Sequence, residues 1–302
     1  MKKELLHIST ISEFSEVFGL HKPSNSLVTI INTSELKTNP NLLAKNFVLD
    51  LYSITLKGNE SGVFFGRKNY DFDEGVMVFT APNQILSIEE TEHLNDNKGW
   101  MLLFHPDLIR DSSLVEKLKD YKFFSYALQE ALHLSEAEQE TVSECSHLIV
   151  EEILRQEDYH SKQVFVSILE LLLNLCNRFY ERQFNTRSIQ NNYAVTKVDS
   201  ILKEYYAAGY LAEKGIPNVE FLANKIGLSP NYLSDLLKKE TGRSAKEYIN
   251  YFVIDKAKTL LVKDKVSVSE LAYQLGFNYP HYFSRIFKSK TGLTPQEYRN
   301  KY

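Results

Sequence analysis

The feature that most constrains this chain is an internal duplication near its C-terminal end. Leu222, Ala223 and Gly227 recur 49 residues later as Leu271, Ala272 and Gly276. Tyr232, Ser234, Lys238, Thr241, Gly242, Glu247 and Tyr248 recur at a spacing of 50. The second copy therefore holds one extra residue in its turn. A repeat of this kind specifies one supersecondary unit built twice.

Each copy has the mechanics of a helix-turn-helix. Ala223 or Ala272 is small enough for two helices to cross closely. Four residues on, Gly227 or Gly276 can take the left-handed backbone that ends a first helix. Leu233 or Phe283 then locks a second helix onto the first. Ser229 is a natural N-cap and Pro230 a natural first helical residue. Thr241-Gly242 and Thr291-Gly292 mark the C-terminal ends of the second helices. Ala245 to Leu261 carries no Pro or Gly and reads as one continuous helix joining the copies. Seventeen residues at 1.5 Å rise give roughly 25 Å, near the roughly 34 Å spacing of successive major grooves. The second helix of such a unit reads base edges near its N-terminus.

Charge supports this reading. The net charge of −4 conceals 17 Lys and Arg against 11 Asp and Glu from residue 196 onward, so the rest carries a net −10. A basic C-terminal part following an acidic one places the polyanion contact at the C-terminal end. At 302 residues two domains are expected. The apolar stretches are too short to span a bilayer, the N-terminus MKKELLHIST lacks a signal-peptide core, and the two cysteines, Cys145 and Cys176, form no metal-ligand spacing. The expectation is a cytoplasmic protein with no membrane partner.

Residues 1–110 read as mostly strand, with runs at Leu27–Ile31, Phe47–Ile54, Gly62–Phe65, Gly75–Phe79 and Trp100–Phe104, consistent with a small barrel or a sandwich. Helical spacing begins near Ser112, at Leu114–Lys119 and Leu128–Leu132. It continues through Val142 to Leu154, and then along about Gln163 to Arg182. Leu169, Leu172, Leu173, Cys176 and Phe179 on the last of these either pack onto the strands or form a dimer interface. The polar stretch 184–194, FNTRSIQNNYA, reads as an interdomain linker.

The run Gly276-Phe-Asn-Tyr-Pro-His-Tyr-Phe-Ser-Arg-Ile-Phe-Lys288, followed by Thr291-Gly-Leu-Thr-Pro-Gln-Glu-Tyr-Arg299, closely resembles the DNA-binding domain of the AraC/XylS family of transcription regulators. The resemblance covers about Val195 to Tyr302. It implies an α+β chain of two domains: a cupin-like β-barrel with appended helices at 1–183 (barrel about 1–110, helices about 112–183) for effector sensing and dimerisation, a linker at 184–194, and an all-α tandem helix-turn-helix domain at 195–302. It implies a DNA-binding activator type of regulator, with double-stranded DNA, RNA polymerase, a small-molecule effector and a second copy of the chain as partners. By position its base-reading residues fall on Asn231, Ser234 and Asp235 in the first unit and on Pro280, His281 and Arg285 in the second. Arg285 can donate twice to guanine, and Asn231 suits adenine. Asp235 departs from the basic residue often found there. Lys238 and Lys288 would reach phosphates.

For an effector, Phe47, Tyr52, Phe64, Phe79 and Met101 are candidates by location, with ordinary core packing as the competing reading. Two alternatives stand beside this. In one, the N-terminal domain only dimerises and senses nothing. In the other, it is a cupin-type enzyme, but residues 46–90 hold no histidine, His93 and His105 are isolated, and both cysteines lie in apolar helical patterns. No catalytic residue, cofactor or metal site is expected.

Overall fold

The computed structural model describes residues 4–36, 42, 45–57, 75–87, 99–126, 130–186, 188–263 and 266–301. The chain divides into two compact units, Met1–Gln183 and Phe184–Tyr302.

The first unit holds two sheets. Strands β1 (Glu4–Ile8), β3 (Lys45–Leu49) and β6 (Ile85–Ser87) form one, in the order β1-β3-β6, with β1 parallel to β3. The other is antiparallel throughout. It comprises β2 (Val28–Asn32), β4 (Tyr52–Lys57), β5 (Gly75–Thr80), β7 (Gly99–Phe104) and β8 (Leu132–Leu134), in the order β2-β7-β4-β5-β8. Among the described residues no strand pairing joins the two sheets into a closed barrel. They face each other across a core of Ile8, Phe47, Leu49, Ile31, Met101 and Leu103, with helix α1 (Ile11–Val17) adding Ile11 and Phe14.

Sequence periodicity misses several of these elements. The run Phe47–Ile54 is two strands, interrupted at Asp50-Leu51. Leu132 opens a strand, so the helical reading of Leu128–Leu132 fails at its described end. Three side-chain bonds hold that strand. Gln183 accepts from the His133 N–H at 2.7 Å and donates to the Ala131 carbonyl at 3.2 Å, and Arg182 donates to the His133 carbonyl. Pairing with distant residues decides a three-residue strand, and its own propensities do not. The strand read at Gly62–Phe65, and with it Phe64, lies outside the described residues.

Helices α2 (Leu114–Lys117), α3 (Glu136–Leu154) and α4 (Ser161–Thr186) complete the first unit. Helix α3 opens on a full capping box, Ser135 with Glu138. Leu169, Leu172, Leu173, Cys176 and Phe179 of α4 are all buried. Cys176 meets the Met77 sulfur at 3.8 Å, so these residues pack onto the sheet rather than wait for a partner. The stretch 184–194 is not an irregular linker either: α4 runs to Thr186 and α5 (Ser188–Ala207) begins two residues later. Asn191, read as a linker polar residue, is buried and donates to the Phe184 carbonyl and to Glu240.

The second unit is wholly helical among its described residues. It contains α5, α6 (Tyr210–Lys214), α7 (Val219–Ile226), α8 (Pro230–Thr241), α9 (Ala245–Lys263), α10 (Val268–Gln274), α11 (Pro280–Thr291) and α12 (Pro295–Lys301). It has two cores. Leu222, Ala223, Leu233 and Leu237 fill one, and Leu271, Ala272, Phe283 and Phe287 fill the other. Each fully buried phenylalanine contributes about 2–3 kcal/mol. Helix α9 serves both, giving Ala245 and Ile249 to the first core and Val253, Ile254, Ala257 and Leu261 to the second. Helix α5 does the same with Val198 and Leu202, then Tyr205.

Candidate nucleic-acid interface

Helices α7 and α8 form the first helix-turn-helix unit, and α10 and α11 the second. Asn218 caps α7 by accepting from the Phe221 N–H at 2.8 Å. Ser267 and Glu270 cap α10 as a reciprocal box. Both first helices then stop on glycine. Gly227 has φ +79° and Gly276 φ +82°, the left-handed conformation that other residues adopt at a cost. The two are crowded differently. A Cβ on Gly227 would meet nothing within 4 Å, whereas one on Gly276 would lie 2.6 Å from the Leu211 carbonyl oxygen and 2.8 Å from Gly215 C and Ile216 N.

The second helices also start differently. Ser229 accepts from the Tyr232 N–H at 3.2 Å and caps α8. Fifty residues on, Tyr279 holds the same place before α11 and makes no side-chain cap. Both helices then begin on a proline, Pro230 and Pro280, whose missing N–H costs nothing there.

On α8, Asn231 and Lys238 are exposed and Asp235 is half-buried. Ser234 does not join them. It is half-buried, and its Oγ accepts from the Ala245 N–H at 3.3 Å, which ties α8 to the start of α9. On α11, His281, Arg285 and Lys288 are exposed, and Pro280 is half-buried in the helix start. The Arg285 guanidinium lies 5.1 Å from the centre of the Tyr282 ring. The His281 ring sits 5.5 Å from that of Tyr279.

Tyr279, 63% exposed, and Tyr282 are residues that sequence reasoning passed over. The signal was available, since an aromatic residue at an N-cap, where Ser, Thr, Asp or Asn is favoured, forgoes the side-chain cap. A phenol at that edge can donate to a phosphate oxygen. Val253 is fully buried on α9, in the core of the second unit's second helix-turn-helix.

A third helix closes each copy with the same device. Ser244 donates its N–H and hydroxyl to Glu247 at 3.0 and 2.9 Å, and Thr294 does the same to Glu297 at 2.7 and 2.8 Å. These donors hold both carboxyls below the usual glutamate value, and Lys238 near Glu247 and Lys288 near Glu297 add to it. Arg299 reaches back from α12 and donates to the carbonyls of Leu261 at 3.1 Å and Val266 at 2.7 Å, which fastens the last helix to the end of α9.

The effector candidates of the first unit fall into two separate packed groups. Phe47 and Met101 are buried in the core between the sheets. Phe79 contacts Phe123 at 4.4 Å and Tyr180 at 6.1 Å on the other side of the larger sheet. Tyr52 stacks on Phe104 there at 4.8 Å. Strand alternation sends neighbouring positions to opposite faces, so these side chains form no common lining and serve as core.

A helix-turn-helix domain profile matches residues 222–301. Over 94 residues the chain is 39% identical to the uncharacterized transcriptional regulatory protein YesN of Bacillus subtilis, a match covering 30% of this chain and 26% of that protein. It is 32% identical over 135 residues to the uncharacterized HTH-type transcriptional regulator YijO of Escherichia coli, covering 45% of each. The chain thus spans less than half the length of these relatives. Among solved structures, the C-terminal domain of the two-component response regulator yesN from Fusobacterium nucleatum is 31% identical, with 35% of this chain and 98% of that one covered at a TM-score of 0.31.

Proposed function

We propose, from the premise that residues 222–301 form a helix-turn-helix domain of the AraC type, that this chain is a sequence-specific DNA-binding transcriptional regulator. The observation that carries the reading is the shared strut: one helix, α9, contributes to the cores of both helix-turn-helix units. At 19 residues it is roughly 28 Å long, close to the separation of successive major grooves. In this reading α8 and α11 enter adjacent major-groove segments. Arg285 and His281 read bases from α11, Asn231 and Asp235 read them from α8, and Lys238 and Lys288 hold phosphates. Tyr279 and Tyr282 join the second set. Ser234 and Pro280 act on the protein side, positioning their helices.

The first unit, in the same proposal, is the cupin-like effector and dimerisation domain that the family plan implies. Dimerisation draws support from what α4 leaves uncovered: Val164 and Leu171 are 38% and 49% exposed, and Ile168 and Leu175 between and beyond them are half-buried. These four recur at helical spacing and make one apolar stripe. Contact with RNA polymerase belongs to the reading as an activator.

Sequencing of genomic fragments captured by the purified full chain tests the proposal. Enrichment of a common motif that Arg285→Ala changes at one position supports it. Capture with no shared sequence would sink it.

A further inference from the structure

The duplication makes each recognition helix a control for the other. On α8, Tyr232, Leu236 and Glu240 stand four residues apart and line one stripe. Fifty residues on, Tyr282, Ile286 and Lys290 line the same stripe of α11. Matching placement gives opposite exposure. Tyr232 is 5% exposed and Leu236 2%, with Glu240 half-buried, whereas Tyr282 is 38% exposed, Ile286 half-buried and Lys290 exposed. The core of the first copy takes the next positions, Leu233 and Leu237, so it does not account for the covered stripe.

Phe184 and Asn191 contribute that cover, from a stretch whose composition reads as linker but which belongs to the second unit. The Phe184 ring lies 5.0 Å from that of Tyr232, near the start of α8. The buried Asn191 amide reaches the other end. It donates to Glu240 Oε1 at 2.9 Å and to the Phe184 carbonyl at 2.8 Å. A primary amide has two N–H bonds, one for each acceptor. Helix α8 is therefore held from one side at two points eight residues apart, roughly 12 Å. On α11 the Tyr282 ring instead meets Phe277 at 6.2 Å and the Arg285 guanidinium. Lys290 replaces the Glu240 acceptor with an ammonium, which only donates.

Asn231 and Asp235 each stand one position before a member of this stripe. A base contact needs its side chain placed within about 0.5 Å and 10–20°, so the roll and tilt of α8 decide whether both can reach their bases. We propose that Phe184 and Asn191 are positioning residues for DNA recognition, fixing α8 so that Asn231 and Asp235 read, while α11 reads without this brace. The proposal rests on the regulator reading. It extends the recognition apparatus upstream of residue 222, where the domain profile begins.

Selection from a random duplex pool by the full chain and its variants tests it. Wild type is expected to select two sequence blocks about 10 base pairs apart, and the block that Arg285→Ala changes belongs to α11. In Phe184→Ala and in Asn191→Ala the other block should lose about tenfold in discrimination against scrambled sequence, while the α11 block keeps its own. Phe184→Leu, which still fills space beside Tyr232, should restore part of the loss. Glu240→Lys installs the second copy's residue and should act like Asn191→Ala, whereas Glu240→Gln keeps an acceptor and should retain most of the discrimination.

A stripe that only stabilises the fold would weaken both blocks alike, and that outcome overturns the proposal. An α8 block unchanged in Phe184→Ala and Asn191→Ala overturns it as well. Should Phe184→Ala unfold, the Asn191 and Glu240 variants decide in its place. A wild type that selects no motif refutes the regulator reading and this proposal with it, while variants that leave both blocks intact refute this proposal alone.

Discussion

Ser234 accepts a hydrogen bond from the backbone N–H of Ala245, at 3.3 Å, and so joins the recognition helix of the first unit to the strut. The second copy cannot repeat this. The residue fifty positions after Ala245 is Pro295, which has no N–H, and Ser284 instead donates to the Pro280 carbonyl of its own helix at 3.1 Å. Ser234→Ala should therefore cost the C-terminal unit about 1 kcal/mol, against a few tenths for Ser284→Ala. Urea unfolding followed by helical circular dichroism compares the two. Equal losses would show that the Ala245 bond contributes nothing.

The two turn glycines should also part company. Gly227→Ala meets open space and carries only the left-handed backbone penalty, about 1 kcal/mol. Gly276→Ala adds a clash with the Leu211 carbonyl and the Gly215–Ile216 backbone, none of which is a flexible chain end. We expect a loss of about 3 kcal/mol or more, with the second core unfolding. Melting curves of the two variants measure the difference directly.

Arg285 is exposed on α11 and is the base reader that we propose there. Arg285→Ala should cost about 1–3 kcal/mol at the preferred site and relax one base pair. Lys288→Ala should weaken all sequences alike and lower the salt slope by about 0.9. Fluorescence anisotropy across a salt series separates these cases. Uniform weakening by Arg285→Ala would reassign it to a phosphate.

Tyr248 gives the C-terminal unit a pH-dependent tie. Its hydroxyl donates to Asp199 at 2.8 Å, and burial, with that carboxylate beside it, pushes the phenol from 10.0 up to about 12. A group raised on folding stabilises fully below its unfolded value, so this contribution is whole below pH 10 and is lost between pH 10 and about 12. Tyr248→Phe should cost about 1–2 kcal/mol at neutral pH and flatten the alkaline decline. Urea unfolding of wild type and variant at neutral pH and between pH 10 and 12 checks both.

Lys57 has the opposite sign. Its amine falls from 10.5 to about 8 on folding, so the folded state is penalised below pH 8 and relieved as pH rises toward 10.5. Lys57→Met should raise the stability of the first unit at neutral pH by up to about 3 kcal/mol. A lower melting temperature for that variant would mean that the contacts of the amine within the fold outweigh the cost of burying its charge.

The sequence by itself determined the second unit. Both helix-turn-helix copies, their glycine stops, the Ser229 cap and the continuous strut were legible. Caps, left-handed turns and helical periodicity are set by residues within a few positions of one another. It determined less of the first unit, where strands at Val28–Asn32, Gly75–Thr80 and Gly99–Phe104 were readable. The break at Asp50-Leu51, the strand at Leu132–Leu134 and the helical course through residues 188–194 were not. The last two depend on Gln183 reaching His133 and Asn191 reaching Glu240, pairs about fifty residues apart. Tertiary structure alone decided which side chains remain for function. It committed Ser234 to Ala245 and Phe79 to a packed aromatic group, and it turned Thr55 and Lys57 inward. Burial is a property of contacts between distant segments, and no local pattern carries it.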